Sequence, residues 1–247
     1  MRIENTAVIV LAAGKGTRMK SNCAKVLHPL AGRPILAYVL ETAVKVAGPD
    51  VVVVIGSQAE AVRATALEIA DVQFAYQTEQ RGTGHAVQCA LPQLGEHTEN
   101  VVILCGDVPL ITENTLNRLV RAHQEAGHTV TLLGVDLENP RGYGRVVINP
   151  QGQVQRIVEE ADATSAEKEI TTVNSGIYCV HRHFLEQAVP RLGSANAQKE
   201  VYLTDIIEMA ASSALPIGFI LVEQATELLG INTPEDLRRV EALLSTA

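Results

Sequence analysis

At 247 residues, 47% of them hydrophobic, the chain is long enough to fill the core of one sizeable α/β domain. Twenty basic against 28 acidic residues give a net charge of −8, which argues against a duplex-binding surface, and 3% aromatics with no tryptophan leave few platforms for stacking single-stranded nucleic acid. The first residues lack signal-peptide architecture and no apolar run approaches the ~20 residues of a bilayer span, so a cytoplasmic protein without a membrane or nucleic-acid partner is expected.

Ala7 to Leu11 is a continuous β-branched and aliphatic run, the pattern of a strand buried on both faces of a parallel sheet. Gly14 and Gly16 follow it, and glycines there let the backbone turn its N–H groups toward an anion. Lys15, Arg18, Lys20 and Lys25 concentrate positive charge in the same stretch of an otherwise acidic chain. The loop reads as a cradle for polyphosphate, and an acidic chain that binds polyphosphate calls for a hard cation, so magnesium is the expected cofactor. Two better-known glycine loops do not fit. A Walker A loop needs Lys-Ser/Thr after its second glycine, but four residues beyond Gly14 and Gly16 the chain has Met19 and Ser21; Met19 also stands at the third glycine position of a dinucleotide fingerprint.

The segments that follow alternate. Pro34 opens a helix to about Val46, Val51 to Ile55 is a second buried strand, Ser57 and Glu60 have the spacing of a capping box for a helix to about Ile69, and Val72 to Tyr76 is a third strand. Short connections and right-handed crossovers then imply a doubly wound, mostly parallel sheet of the Rossmann-like kind, with ligands at the carboxyl ends of its strands. Gln77 to His85 lies on that rim. Its amides, hydroxyl and glycines suit the edge of a flat base, although a glutamine amide can pair with uracil in one orientation and with cytosine in the other, so backbone groups must fix the choice. A helix is expected from about His85 to Leu94, a strand over Val101 to Cys105, a helix from Thr112 to about Ala126 and a strand over Thr129 to Val135. Asp107, just after a strand and a glycine, is by itself most often a turn or cap residue; facing a phosphate cradle, its carboxylate becomes a magnesium ligand.

Beyond residue 136 the pattern changes. Pro140 to Val147 and Val154 to Val158 flank Asn149-Pro150-Gln151-Gly152 and predict an antiparallel hairpin on the main sheet. A short exposed helix or loop over Asp162 to Glu169, a strand over Val173 to Val180, a helix from His183 to Val189 stopped by Pro190, and a strand over Ile217 to Val222 complete the sheet. Thr233 and Pro234 open a last helix near residues 233–244. Glu159 and Glu160 have the pattern of a solvated acidic pair, the four dispersed cysteines that of free thiols, most of them buried, and the seven histidines that of surface or cap residues.

LAAGKGTRM followed by Lys25-Val26-Leu27 resembles the opening of the sugar-1-phosphate nucleotidylyltransferases, and is most similar to the N-acetylglucosamine-1-phosphate uridylyltransferase domain; the resemblance covers essentially the whole chain. It implies a nucleotide-diphospho-sugar transferase fold with a small antiparallel sugar-binding lid, the nucleotide part spanning about residues 1–136, the sugar part about 137–232 and a C-terminal helix about 233–244. By motif, Arg18 and Lys25 become the catalytic cations, and Leu11, Ala12, Ala13, Gly14, Gly16, Thr17, Gln77, Gln80, Gly82, Thr83, Cys105 and Gly106 the nucleotide-binding residues. Cys105 departs from the tyrosine expected in close relatives. Gly142, Glu159 and Asn174, within GYGR, IVEE and NSGIY, together with Glu200 and Tyr202, become sugar-binding residues, and Asp107 with Asn232 the magnesium ligands. Lys199 and Val201 are departures beside Glu200 and Tyr202. The implied reaction is transfer of uridylyl from UTP to N-acetylglucosamine 1-phosphate. The rivals are the same chemistry on another sugar or base, and a nucleotide-sugar binding module without turnover. Bifunctional relatives continue into a hexapeptide-repeat β-helix; no period of six occurs here, so acetyl transfer is not expected of this chain, and no oligomeric state is implied.

Overall fold

The computed structural model describes residues 3–245. In chain order the elements are β1 (Thr6–Leu11), a small hairpin of β2 (Pro29–Leu30) and β3 (Arg33–Pro34), α1 (Ile35–Ala47), β4 (Val51–Ile55), α2 (Ala59–Ile69), β5 (Gln73–Tyr76), α3 (Thr83–Ala90), β6 (Asn100–Cys105), α4 (Glu113–Ala126) and β7 (Val130–Asp136). There follow β8 (Arg145–Ile148), β9 (Val154–Val158), α5 (Ser165–Lys168), β10 (Thr172–His181), α6 (Arg182–Ala188), α7 (Asp205–Ser212), β11 (Ile217–Leu221) and α8 (Pro234–Leu244).

The main sheet runs β11-β7-β10-β6-β1-β4-β5, and β8 leaves it to pair with β10 and β9. β1 is parallel to both β4 and β6, β5 is parallel to β4, and β11 is parallel to β7. Only β10 runs against its two neighbours in this row, β6 and β7. The reason for the continuous apolar runs is visible in β1: Val8 and Val10 enter one core with Leu36, Leu40, Leu116 and Leu119, while Ala7 and Ile9 enter the opposite core with Val87, Leu185 and Ile206. Helices thus cover both faces, and each fully buried aliphatic side chain contributes roughly 1.5–3 kcal/mol of transfer free energy. The hairpin β8–β9 is antiparallel, as its turn sequence predicts. No helix among the described residues is long and apolar enough to cross a membrane.

Several local expectations are corrected. Ser57 and Glu60 do not form a capping box; Gln58 is the N-cap of α2, in left-handed conformation at φ 53, and its side-chain nitrogen donates to Asn22 O instead. α3 begins at Thr83 rather than His85, because Gly82, at φ 110, turns the chain immediately before it. Pro190 does not stop the chain's coil at once but sits inside a 3₁₀ turn, Val189–Arg191. α7 lies in a stretch to which the sequence pattern assigned no element, and its Ile206, Ile207 and Ala210 pack into the core. Of the cysteines only Cys179 is buried; Cys23, Cys89 and Cys105 are half-buried. Glu160 is not half of a solvated pair, since it meets Arg145 at 2.8 Å, and Arg145 is only 2% exposed.

His123 is likewise no surface residue. It is 1% exposed, Nδ1 lies 3.0 Å from Thr131 Oγ1, and Nε2 has no partner among the described residues. Burial, reinforced by His128 and His181, lowers its pKa to about 4. The folded protein therefore refuses a proton that the unfolded chain accepts near pH 6.5, so stability contributed at neutral pH is lost as pH falls from 6.5 toward 4, by on the order of 3 kcal/mol. Thermal denaturation across that window should show a shallower decline in His123→Leu than in the wild type; parallel profiles would remove His123 as the source.

Candidate active site at the carboxyl ends of the parallel strands

Leu11, at the end of β1, lies opposite Cys105 of β6 on one side and Val54 of β4 on the other. The loops after β1 and β6 consequently open on one rim, with the loop after β5, around a cavity of about 490 Å³. Its walls include Leu11, Ala12, Ala13, Gly14, Gly16 and Thr17 from the first loop, Lys25, and Gln77, Gln80, Gly82 and Thr83 from the loop after β5. Cys105, Asp107 and Glu200 complete the set of expected site residues that line it, Lys15 of the expected cationic cradle lines it too, and Val26 and Ala86 line it without having been anticipated. Gly106 is buried beneath: its N–H donates to Leu11 O at 2.9 Å, and a Cβ there would lie 2.9 Å from that same oxygen.

The first loop is shaped by Gly16 and Met19. Gly16 has φ +60, and an added Cβ would sit 2.6 Å from Lys25 Cβ, so glycine is what lets the lysine stem lie against the loop. Met19, the residue that breaks the dinucleotide fingerprint, is buried with Leu30, Ile35, Leu229, Ile231 and Val240 and so pins the loop to the segment before α8. Among the described residues, the backbone N–H groups of Gly14 through Arg18 have no acceptor. They form a row of donors beside two cations.

Those cations are held by the remaining expected residues. Lys25 Nζ is ion-paired with Asp107 Oδ2 and donates to Asn232 Oδ1 at 3.1 Å, while Arg18 Nη2 donates to the same Asn232 oxygen at 2.9 Å. Asn232 is itself fixed, because its N–H donates to Asp236 Oδ2 at 3.0 Å within the capping box that Thr233 and Asp236 form for α8. Ile231 N–H donates to Asp107 O at 2.9 Å, joining the two oxygen-bearing segments by their backbones. A carboxylate and a neutral amide oxygen that converge on one ammonium nitrogen make a hard-oxygen pair that suits magnesium. No group of three or more His, Cys, Asp or Glu is gathered for a metal among the described residues, so any such ion would rely on phosphates and water for the rest of its shell.

The loop after β5 is built around Gln77, which is 4% exposed. Its Nε2 donates to Gly82 O at 2.9 Å and lies 3.1 Å from His85 Nδ1. A carbonyl only accepts, so the nitrogen end must face Gly82, and Oε1 is the atom left to the cavity. The N–H of Gly82 has no acceptor among the described residues. Close packing holds this arrangement: a Cβ at Gly56 would meet Gln77 O and Gln80 Nε2, each at 2.7 Å, and a Cβ at Gly82 would meet Val201 O at 2.5 Å. Thr83 spends its hydroxyl on the frame, accepting from Leu203 N at 3.0 Å.

Gly142, Glu159, Asn174 and Tyr202 stand outside the walls of this cavity. Cys105 connects them to it. Its thiol lies 3.6 Å from Gly176 O, and enclosure, with Asp107 next in weight, pushes its pKa up to about 12. Beyond it, Asn174 Nδ2 donates to Tyr178 OH at 2.7 Å and Asn174 Oδ1 accepts from Gly176 N at 3.2 Å. Glu159 Oε1 accepts from Thr204 Oγ1 at 3.2 Å; burial raises its pKa, the Thr204 hydrogen bond opposes this, and Asp205, Asp162 and Glu200 add to it. Tyr202 OH donates toward Gln198 Oε1 at 2.8 Å and Asp162 Oδ2 at 3.2 Å. Gly142 has φ +88 on the exposed approach to β8, where Arg145 reaches back to Tyr143 O. Sequence reasoning did not single out His85, Tyr178 or Thr204; His85 carried a signal as the last residue of the QTEQRGTGH segment, and Tyr178 as the last residue of NSGIY.

Comparison with known proteins gives this geometry a family. Over 242 residues the chain is 48% identical to a bifunctional protein GlmU of Geotalea uraniireducens, covering 98% of this chain and 53% of the relative. Over 230 residues it is 49% identical to a bifunctional protein GlmU of Geobacter sulfurreducens, covering 93% and 48%. The chain thus spans about half the length of the curated relatives it matches. A crystal structure from Bacillus anthracis, assigned as a glucose-1-phosphate thymidylyltransferase and holding sucrose, superposes with a TM-score of 0.73 at 18% identity over 96% of this chain and 94% of its own, which shows a shared fold. The family model of MobA-like NTP transferase domains matches residues 8–141, the stretch that carries the cradle, the Gln77 loop and Asp107, and the chain belongs to that family.

Proposed function

We propose that the chain transfers a uridylyl group from UTP to N-acetylglucosamine 1-phosphate, releasing pyrophosphate. The observation that carries the reading is the meeting, on one rim, of a row of free backbone donors with Arg18 and Lys25, and of these cations with the Asp107 and Asn232 oxygens. The relatives named bifunctional GlmU support the same direction. A phosphate oxygen of the sugar 1-phosphate attacks the α-phosphorus of UTP in line; the bond from that phosphorus to the bridging oxygen breaks, and the pair leaves with pyrophosphate. Catalysis rests on positioning and charge stabilisation, with no covalent enzyme intermediate. Arg18 and the loop N–H groups take the triphosphate, and Lys25 the charge that develops at the α-phosphate. Magnesium held by Asp107 and Asn232 would neutralise phosphate charge.

Gln77 Oε1 as acceptor and Gly82 N–H as donor match the N3–H and O4 edge of uracil, and oppose cytosine at both positions. For the sugar, Gly142, Glu159, Asn174, Glu200 and Tyr202 supply polar groups that an acetamido-hexose would satisfy. Pyrophosphate release measured with four nucleoside triphosphates against several sugar 1-phosphates tests both halves. UTP with N-acetylglucosamine 1-phosphate should lead, CTP and glucose 1-phosphate each falling at least about 100-fold in kcat/KM. Equal turnover of the sugars would reject the acetamido assignment, and no release from any pair would leave a binding module.

The cation cluster makes two further expectations. Asp107→Asn should nearly abolish turnover, whereas Asn232→Ala should chiefly raise the magnesium concentration required; an unchanged requirement would return Asn232 to a structural role. Gly16→Ala, which puts a Cβ 2.6 Å from the Lys25 stem, should lower kcat by roughly 100-fold while circular dichroism stays native, on the scale of an ångström's misplacement of a catalytic group. An unaltered kcat would show that Lys25 does not need its observed place.

A further inference from the structure

We infer that His85 is a positioning residue for base specificity, which with Gly82 O holds the Gln77 amide with its oxygen toward the cavity. The inference rests on the uracil reading above and adds a positioning residue to it. A glutamine amide has two N–H hydrogens and one oxygen. Gly82 O, at 2.9 Å, takes one hydrogen of Gln77 Nε2. Were the second hydrogen free, the nitrogen could still turn it toward the cavity and offer a donor where uracil also presents one. His85 Nδ1, 3.1 Å from Nε2, takes that hydrogen. Both donors are then spent on the protein, and the cavity sees an acceptor.

This role specifies the ring's state. To accept at Nδ1, His85 must be neutral and carry its proton on Nε2, which points to Cys89 Sγ at 3.8 Å, a weak acceptor one turn along α3. The backbone around the amide is equally constrained, since Gln77 N–H donates to Ile55 O at 2.8 Å and Gln77 O accepts from Gln80 Nε2 at 3.1 Å. The side chain, 4% exposed, therefore has little freedom except rotation of the amide itself, a freedom that Gly82 O and His85 Nδ1 remove together. Phenylalanine at 85 would keep the ring's bulk and withdraw the acceptor, leaving a buried N–H unpaired in the observed orientation. The observed orientation then rests on Gly82 O alone, and in the fraction of molecules whose amide flips the nitrogen faces the cavity and meets the N3 lone pair of cytosine.

The test is the ratio of kcat/KM for UTP to that for CTP, with the sugar 1-phosphate the wild type turns over best. In His85→Phe the ratio should fall at least about 10-fold, through both a loss with UTP and a gain with CTP. His85→Asn, which can return an acceptor oxygen, should keep more of the ratio. In a Gln77→Met background, His85→Phe should change the ratio no further, because the amide it orients is gone. Equal losses for both nucleotides in His85→Phe would overturn the proposal and leave His85 a packing residue. Calorimetric binding of UDP and CDP gives the same ratio without turnover, so a variant that folds poorly or reacts slowly is still read. If the wild type does not distinguish the two nucleotides, the uracil reading itself fails; if it does and both variants preserve the ratio, only the role of His85 fails.

Discussion

One ammonium nitrogen ties the site together. Lys25 Nζ binds Asp107 across 82 residues and Asn232 across 207, so the loop after β1, the turn after β6 and the segment before α8 share a single point. The side chains of Lys25 and Asp107 are 17% and 16% exposed, which strengthens their attraction over that of a surface pair but also costs desolvation. Such a pair is weak evidence for stability and better evidence for geometry. Much of the neighbourhood serves the same point: Gly16 lets the lysine stem approach, Met19 anchors the loop in apolar contact, and Asp236 holds Asn232 while capping α8. Gly230 leaves the space open, an added Cβ there lying 3.5 Å from Asn232 Nδ2 and 4.0 Å from Asp107 Oδ2.

What could be read in the sequence follows from how local its cause is. The strands β1, β4 and β6 announce themselves because burial on both faces leaves no room for polar residues, and α4 and α8 because Thr112 and Thr233 accept from N–H groups three residues on. The cradle and Asp107 were legible because they sit directly after those strands. Ser57 with Glu60 misled, since a capping box and a left-handed Gln58 that reaches across to Asn22 have the same local spelling. Glu160, His123 and α7 were misjudged or missed for a common reason: Arg145, Thr131 and the core around Leu185, which define them, are contributed by other segments. Convergence of Asn232 on Lys25 was accessible only through topology and resemblance, because nothing within its own stretch distinguishes it from an ordinary residue preceding a cap.

The two halves of the proposed site differ in the groups they would offer a substrate. Around Gln77 the discriminating groups are an amide with a forced orientation and a backbone N–H, both rigid and both neutral. Around Glu159 the groups are ionisable and enclosed; burial raises the pKa of Glu159, and that of Tyr178 is raised well above its usual value by burial and then by Glu159. A neutral, preorganised edge suits recognition of a planar base, whereas enclosed acids and hydroxyls suit a polyhydroxylated ring whose donors can satisfy them.

Cys105 lies where those halves join. Its thiol is influenced by Asp107 and Lys25 on the nucleotide side and by Glu159 on the other. Opposite it, β10 shifts register between Asn174 and Tyr178, and Gly176 adopts φ +76 with no room for a Cβ, which would lie 2.8 Å from Cys105 Sγ. The strand packs directly on the small sulfur at Gly176. A larger side chain in place of Cys105 would meet Gly176, whose carbonyl already lies 3.6 Å from the sulfur. With cysteine, the boundary here is set by backbone, through Gly176 O on the thiol.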